Sequence, residues 1–329
     1  WDTFTLIPTG LKHGTLTVYD ISNPREKFEI TTLRIDVECD GRHADVAFTT
    51  DWKKDAERRD FTINAMMLDI HGNVYDWFNG QRDIQTNSLR FVGDPKDRIT
   101  EDALRVFRFY RFLAKLDFYN DSAYVEKVFK DNLDLLKNVS KERIWIELKK
   151  TVQSENFAPF YTMMKLGILE AVAPDCFTRT PFIFKLDMFE QFNKLRSGKY
   201  VYPEQVFACF VLPESRDKFM DIMKMSVHER QNFKFFTTPK EDVDTWSKIQ
   251  KLIHVDKVDK QKLIDLLIQH GLTEFIHQVM SEPDKVFPVN GSDLLAMGFK
   301  QGEALGKELN RLKQLWVDSG YTKTKENLI

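Results

Sequence analysis

The stretch Glu101-Asp-Ala-Leu-Arg-Val-Phe-Arg-Phe-Tyr-Arg-Phe-Leu113 decides how the chain is read. Ala103, Leu104, Val106, Phe107, Phe109, Tyr110, Phe112 and Leu113 leave most of a helical cylinder apolar. The spacing therefore predicts one buried helix over 100–116, with Thr100 as its N-cap. Five charges interrupt it. Glu101, Asp102, Arg105 and Arg108 fall within an arc of roughly 120°, with Arg111 about 60° further round. Two readings are open. One is a ladder of intrahelical ion pairs at i,i+3 and i,i+4, each worth about 0.2–0.5 kcal/mol. The other is recognition of a base edge. Asp102 accepts from an exocyclic amine and Arg105 offers a fork of donors, a pattern that suits cytosine and adenine and rejects guanine and uracil.

Upstream, β-rich runs at 15–19, 28–37 and 45–49 are separated by Ser22-Asn-Pro24 and Asp40-Gly41, which predicts a sheet. A helix is expected over 53–68, followed by a hairpin at Leu68–Asp76 turning at His71-Gly-Asn73. Within that helix lies Arg58-Arg-Asp-Phe-Thr-Ile-Asn-Ala-Met66. Asp60 and Asn64, one turn apart, would share a face able to hold the two oxygens of a ribose, and Arg58 and Arg59 suit phosphates. The alternative is an ordinary solvated face in the charged stretch Asp51–Asp60. Downstream of 100 the strand signals fade. Helical patterns follow at 122–136, 140–153, 156–166, 203–211, 215–223, 227–236, 240–253, 259–269, 271–281, 290–297 and 300–319. The expected architecture is a small α/β head carrying an all-helical arm, with breaks at Pro174–Pro181 and Pro283–Pro288.

Composition narrows the function classes. With 42% hydrophobic residues and 27 Phe in 329 residues, the chain has ample core. A net charge of -2 excludes a globally basic polyelectrolyte, so any nucleic-acid surface must be local. Candidates are Lys141, Arg143, Lys149 and Lys150, and further on Lys300, Lys307, Arg311 and Lys313, each set equally readable as a solvated helix face. Cys39, Cys176 and Cys209 lack metal-ligand spacing, and so do the histidines. No run of 18 apolar residues argues for a membrane span, and the leading Trp1 places the expected start upstream.

Taken together, these residues resemble the class II tRNA nucleotidyltransferases, the CCA-adding enzymes. Arg58-Arg-Asp-Phe-Thr-Ile-Asn64 is similar to that family's RRDxTxN motif and Glu101-Asp-Ala-Leu-Arg105 to its EDxxR motif, in the family's order and spacing. Asp76-Trp-Phe-Asn-Gly-Gln-Arg-Asp83 resembles the hinge motif, and Glu142-Arg-Ile-Trp-Ile-Glu-Leu-Lys149 the motif closing the neck. Lys12-His-Gly-Thr15 and Phe28–Arg34 resemble the head sheet, and the wording of Ile30–Arg34, Asp40-Gly-Arg-His43 and Asp51–Asp60 is most similar to the animal enzymes.

The resemblance implies an incomplete polymerase-β-type nucleotidyltransferase head over 1–85, then an all-α arm: neck 86–153, body 154–282 and tail 283–329. It implies addition of C, C and A to a tRNA 3′ end from CTP and ATP, with two Mg2+ ions and the protein as template. Asp102 and Arg105 would pair with the base and Glu101 would orient Arg105. Arg58, Asp60 and Asn64, with Arg108 beside them, would hold ribose and triphosphate. Glu29 maps to the family's third metal carboxylate. The Gly-Gly loop and the Asp-x-Asp pair are expected upstream of residue 1, so the chain by itself is expected to be inactive. Lys141, Arg143, Lys149, Lys150, Lys307 and Arg311 would grip tRNA. The family places such a protein in the mitochondrion and the cytoplasm or nucleus. A poly(A)-adding relative shares these motifs, and a shortened product that binds tRNA or nucleotides without catalysis is the alternative from another class.

Overall fold

The computed structural model describes residues 4–10, 14–23, 26–39, 44–118, 123–154, 156–177 and 202–329. Trp1, Lys12, His13, Pro24, Asp40–His43 and Pro181 lie outside them. The described residues fall into two compact units, the first within Trp1–Phe182 and Tyr200–Asn232, the second containing Phe233–Ile329.

The first unit begins with an antiparallel sheet of order β1-β2-β3, from β1 (Phe4–Gly10), β2 (Thr15–Asp20) and β3 (Lys27–Thr31). The register sets Leu6 opposite Val18, Val18 opposite Phe28 and Thr17 opposite Glu29. With a side-chain period of two, Glu29 shares a face with Thr17 and points away from Phe28 and Ile30. Strand β1 is not expected from the sequence because Pro8 argues against a central strand. It lies at the sheet edge, and its register slips between Ile7 and Gly10, both of which accommodate a proline.

The run 28–37, expected as one strand, is two. Thr32 N still donates to Gly14 O (3.0 Å), but Thr49 N donates to Leu33 O (2.9 Å). The chain thus changes partner, and β4 (Arg34–Cys39) pairs with β5 (Ala44–Phe48) in a hairpin of its own.

The helix expected over 53–68 stops early. Helix α1 (Trp52–Glu57) is capped by Asp51, whose carboxylate accepts from Lys53 N (2.9 Å) and Lys54 N (3.2 Å). Phe61 then adopts extended backbone (φ -126°, ψ 151°) to bridge to Phe91. Its fully buried ring sits 5.0 Å from that of Phe91 and 5.2 Å from that of Phe112. Tertiary burial of one aromatic ring overrides local helix preference here. A 3-10 turn (Thr62–Asn64) and the expected hairpin follow, β6 (Met67–Leu68) with β7 (Val74–Tyr75), its loop held by Asp69 accepting from His71 N and Asn73 N.

Asp76 then accepts from Gly80 N (2.8 Å) and Gln81 N (2.9 Å) and starts α2 (Gly80–Gln85), a six-residue helix too short to read from periodicity. A Cβ at Gly80 would lie 2.3 Å from Thr62 O. Gly80→Ala is therefore expected to lower stability by ~2–3 kcal/mol, as overpacking against backbone does. A thermal melt within a degree of wild type would show that the two segments can separate freely.

The organising stretch is two helices, where one was expected. Helix α3 (Pro95–Glu101) starts at Asp94, which caps Lys96 N (2.8 Å), with Pro95 at the first position; Thr100 lies inside it, its hydroxyl donating to Lys96 O (2.8 Å). The chain breaks at Asp102 (φ -148°, ψ 104°), and α4 (Arg105–Leu116) resumes after one turn. Phe109 on α4 stacks on Phe91 at 5.5 Å and meets Phe129 of α5 (Ala123–Asp131) at 5.4 Å. Helix α4 packs on α6 (Lys141–Val152) and α7 (Ala158–Lys165).

In the second unit, helices Gly291–Ala296 and Glu303–Asp318 close over a core of Val289, Leu294, Leu312, Trp316, Tyr321 and Leu328. Buried His254 pairs there with Glu282 (2.7 Å), as befits a structural histidine. No helix among the described residues is long and apolar enough to cross a membrane.

Candidate functional site

The break at Asp102 turns the organising stretch from a ladder into a junction. Asp102 Oδ1 accepts from Leu104 N (3.1 Å), an Asx turn that draws the backbone out of the helix, and Oδ2 accepts from Arg143 Nη2 on α6 (2.8 Å). Released from the first helix, Arg105 points back toward α1. Its Nε meets Asp60 Oδ1 (2.9 Å) and its Nη1 meets Glu101 Oε2 (2.5 Å). Nη1 also donates to Arg98 O (2.8 Å), and Nη2 to Arg58 O (3.3 Å). Arg108 Nη2 takes the other oxygen of Asp60. The Arg105 side chain is only 9% exposed. Burial works against its charge, but the hydrogen bond it donates to Glu101 and the charge of Asp60 prevail and hold its pKa above the usual arginine value.

The structure thus joins Asp60, Glu101, Arg105 and Arg108 in one network, while Asp102 is joined to Arg143. Four N–H groups of Arg105 already donate to protein acceptors. Asp102, with 26% of its side chain exposed, is the more open member of the expected pair.

Arg58 and Arg59 are held by a residue the sequence reading passes over. Asp55, with a side chain 2% exposed, accepts from Arg58 Nη2 (2.7 Å), Arg59 Nη2 (3.0 Å) and Arg34 N (3.0 Å). In a stretch with carboxylates at 51, 55, 57 and 60, only burial distinguishes it. Asn64 does not share a helical face with Asp60, because no helix runs through both. Its Oδ1 accepts from Phe61 N (3.1 Å) and closes the 3-10 turn, and its carbonyl receives Arg59 Nη1 (3.1 Å). Arg98, also unforeseen, is nine-tenths buried between α1 and α4. The only sequence signal for it was its place three residues before Glu101.

The remaining candidates lie elsewhere. Glu29 is exposed on β3. Among the described residues no group of three or more His, Cys, Asp or Glu side chains is placed to hold a metal ion. One exposed carboxylate does not make a two-metal site.

Of the basic candidates, Lys150 is exposed, and Lys141 is half-buried with its ammonium pKa pushed down by burial. Lys307 pairs with Glu303 (2.7 Å) and Arg311 with Glu308 (2.7 Å) on the helix Glu303–Asp318. Lys149 pairs with Glu229 (2.5 Å), which also accepts from Trp145 Nε1 (2.9 Å) and Ser226 N (2.7 Å). Burial opposes the charge on Glu229, but the bonds from Lys149, Ser226 and Trp145 outweigh it and bring its pKa down to about 2. Because this pKa is depressed, the tie contributes stability above the ordinary value of 4.5 and loses it as pH falls toward about 2. Glu229→Gln should cost ~1.5–3 kcal/mol at neutral pH. That deficit should shrink between pH 4.5 and 2; a deficit independent of pH would show that Glu229 is not charged in the fold.

Residues 3–90 match the Poly A polymerase head domain and 123–178 the probable RNA- and SrmB-binding site of polymerase A. The chain is 34% identical to human CCA tRNA nucleotidyltransferase 1, mitochondrial, over 97% of its length and 75% of the relative's. It is 33% identical to the mouse protein of that name, again over 97% and 75%. The Staphylococcus epidermidis CCA-adding enzyme is 29% identical over 98% of this chain and 83% of its own. Among solved structures, the Bacillus stearothermophilus CCA-adding enzyme in complex with CTP superposes with a TM-score of 0.71 at 23% identity, covering 98% of this chain and 82% of the other. The Thermotoga maritima CCA-adding enzyme complexed with tRNA gives 0.60 at 18% identity, covering 98% and 79%. By its sequence identity to these relatives over nearly its whole length, the chain belongs to the CCA tRNA nucleotidyltransferase family.

Proposed function

We propose that this chain is a CCA-adding nucleotidyltransferase, adding C, C and A to the 3′ end of tRNA from CTP and ATP. The observation that carries the reading is the convergence of Asp60, Glu101 and Arg105, from two segments some 40 positions apart, at the chain break made by Asp102. In this reading Asp102 accepts the exocyclic amine of cytosine or adenine, exchanging its bond to Arg143 for one to the base. Arg105 contributes its remaining Nη2 donor, and Glu101 and Asp60 fix its plane. Asp60 also faces the ribose, where it favours ribo- over deoxyribonucleotides. Arg58 and Arg108, 20% and 33% exposed at their side chains, present positive charge to the triphosphate. Asn64 acts by setting the turn that aims Asp60.

The family resemblance implies two Mg2+ ions with Glu29 as one ligand. What this chain's described residues contribute is selection and placement of the nucleotide. Lys141, Arg143, Lys149, Lys150, Lys307 and Arg311 remain the candidates for tRNA phosphates. Mitochondrial relatives support a mitochondrial location, with cytoplasm or nucleus as further sites of action.

The test incubates the full-length protein with tRNA ending before CCA and labelled CTP and ATP. Ordered addition of two C and one A supports the reading. A tail of A alone would assign the chain to poly(A) addition, and no addition with tRNA still bound would favour a binding role.

A further inference from the structure

The ion-pair network closes into a ring through a residue outside both family motifs. Arg98 Nη2 donates to the main-chain carbonyls of Arg58 and Arg59, each at 2.7 Å. Its Nη1 lies 2.8 Å from Glu101 Oε2, the same oxygen that accepts from Arg105 Nη1 at 2.5 Å. Arg105 returns to Asp60 through Nε (2.9 Å) and to the Arg98 carbonyl through Nη1 (2.8 Å). Arg58 and Arg59 immediately precede Asp60, so the ring runs Arg98, backbone 58–59, Asp60, Arg105, Glu101 and back to Arg98.

Burying a second guanidinium here is costly, and an apolar side chain in its place would leave the carbonyls of Arg58 and Arg59 without these donors and Glu101 without this partner. The arginine is better explained by geometry. Only a planar fork can hold two adjacent carbonyls and a carboxylate at once, and a lysine cannot reproduce it.

We propose that Arg98 is a positioning residue for nucleotide selection: it locks the segment bearing Asp60 to the segment bearing Arg105, so that the ribose-side and base-side groups cannot shift independently. This rests on the nucleotide-selecting role given to those residues above. Arg98 itself touches no nucleotide; it acts through the backbone of 58–59 and through Glu101.

The experiment compares full-length wild type, Arg98→Met and Arg98→Lys. Circular dichroism establishes folding, amide hydrogen exchange reports on residues 58–64, and equilibrium binding of CTP, ATP, GTP and UTP is measured beside that of tRNA. The expected result for Arg98→Met is exchange at 58–64 faster by roughly tenfold or more, and a CTP-over-GTP preference reduced by roughly tenfold, since small misplacements in a preorganised site carry such factors. Binding of tRNA should be unchanged, and Arg98→Lys should fall between the two. Should the methionine variant fail to fold, the lysine variant carries the same comparison. The proposal is overturned if a folded variant keeps wild-type exchange at 58–64, or if affinity drops equally for all four nucleotides. A wild type with no preference among nucleotides would instead sink the functional reading, while the exchange measurement would still decide whether Arg98 clamps the backbone.

Discussion

Arg105→Ala is expected to lose both stability and nucleotide choice. The variant leaves Asp60 with Arg108 alone and Glu101 with Arg98 alone beside a cavity, and takes one donor from each of the carbonyls of Arg58 and Arg98. Removing one partner from a buried charge network costs ~3–5 kcal/mol. Glu101, 43% exposed at its side chain, can rehydrate, whereas Asp60 at 13% cannot do so fully. The loss should therefore fall at the lower end of that range. Arg105→Lys restores a charge without the fork and should recover part of the stability and little of the selectivity. Chemical denaturation checks the first effect and competition between CTP and UTP the second. A variant as stable as wild type would mean that the bonds around Arg105 are not formed in solution.

The second large effect is expected at Asp55. Asp55→Ala removes the acceptor of two guanidiniums and of the Arg34 amide, uncoupling β4 from α1 and freeing Arg58 and Arg59 to move. About 3 kcal/mol is expected, because the two arginines retain access to solvent. Burial raises the pKa of this carboxyl, but the bonds from Arg34 N, Arg58 and Arg59 outweigh it and hold the value below the ordinary 3.8. The contribution of Asp55 is thus present above pH 3.8 and disappears as pH drops through its depressed value. Stability measured from pH 7 downward should show wild type converging on the variant only in strong acid. Convergence already at pH 5 would mean that the carboxyl is not held low.

Legibility in the sequence followed the range of the interaction. The pairing of Glu101 with Arg105 is an i,i+4 relation, and it is present in the structure. The partner of Asp102, Arg143, lies 41 residues away on another helix, and no periodicity could announce it. The hairpin at Leu68–Asp76 could be read because turn chemistry is local. Helix α2 could not, because its start depends on Asp76 and on the absence of a Cβ at Gly80. The two helices expected to be continuous, over 53–68 and 100–116, are both broken where the site needs a sharp turn. At Phe61 the cause is burial against Phe91, and at Asp102 it is a side chain competing for the backbone. Asp55 and Arg98 went unnoticed for the same reason: charged residues in charged stretches are set apart by burial, which only the fold supplies.

The claim at the centre is that the junction of Asp60, Glu101, Asp102 and Arg105 selects bases that carry an exocyclic amine beside a ring-nitrogen acceptor, as cytosine and adenine do and guanine and uracil do not. Equilibrium binding of the four ribonucleoside triphosphates to the full-length protein tests it most directly. CTP and ATP should each bind at least roughly tenfold more tightly than UTP and GTP, the discrimination that one good base-edge contact provides. Equal affinity for all four would contradict the account, since the junction would then be holding phosphate and ribose without reading the base.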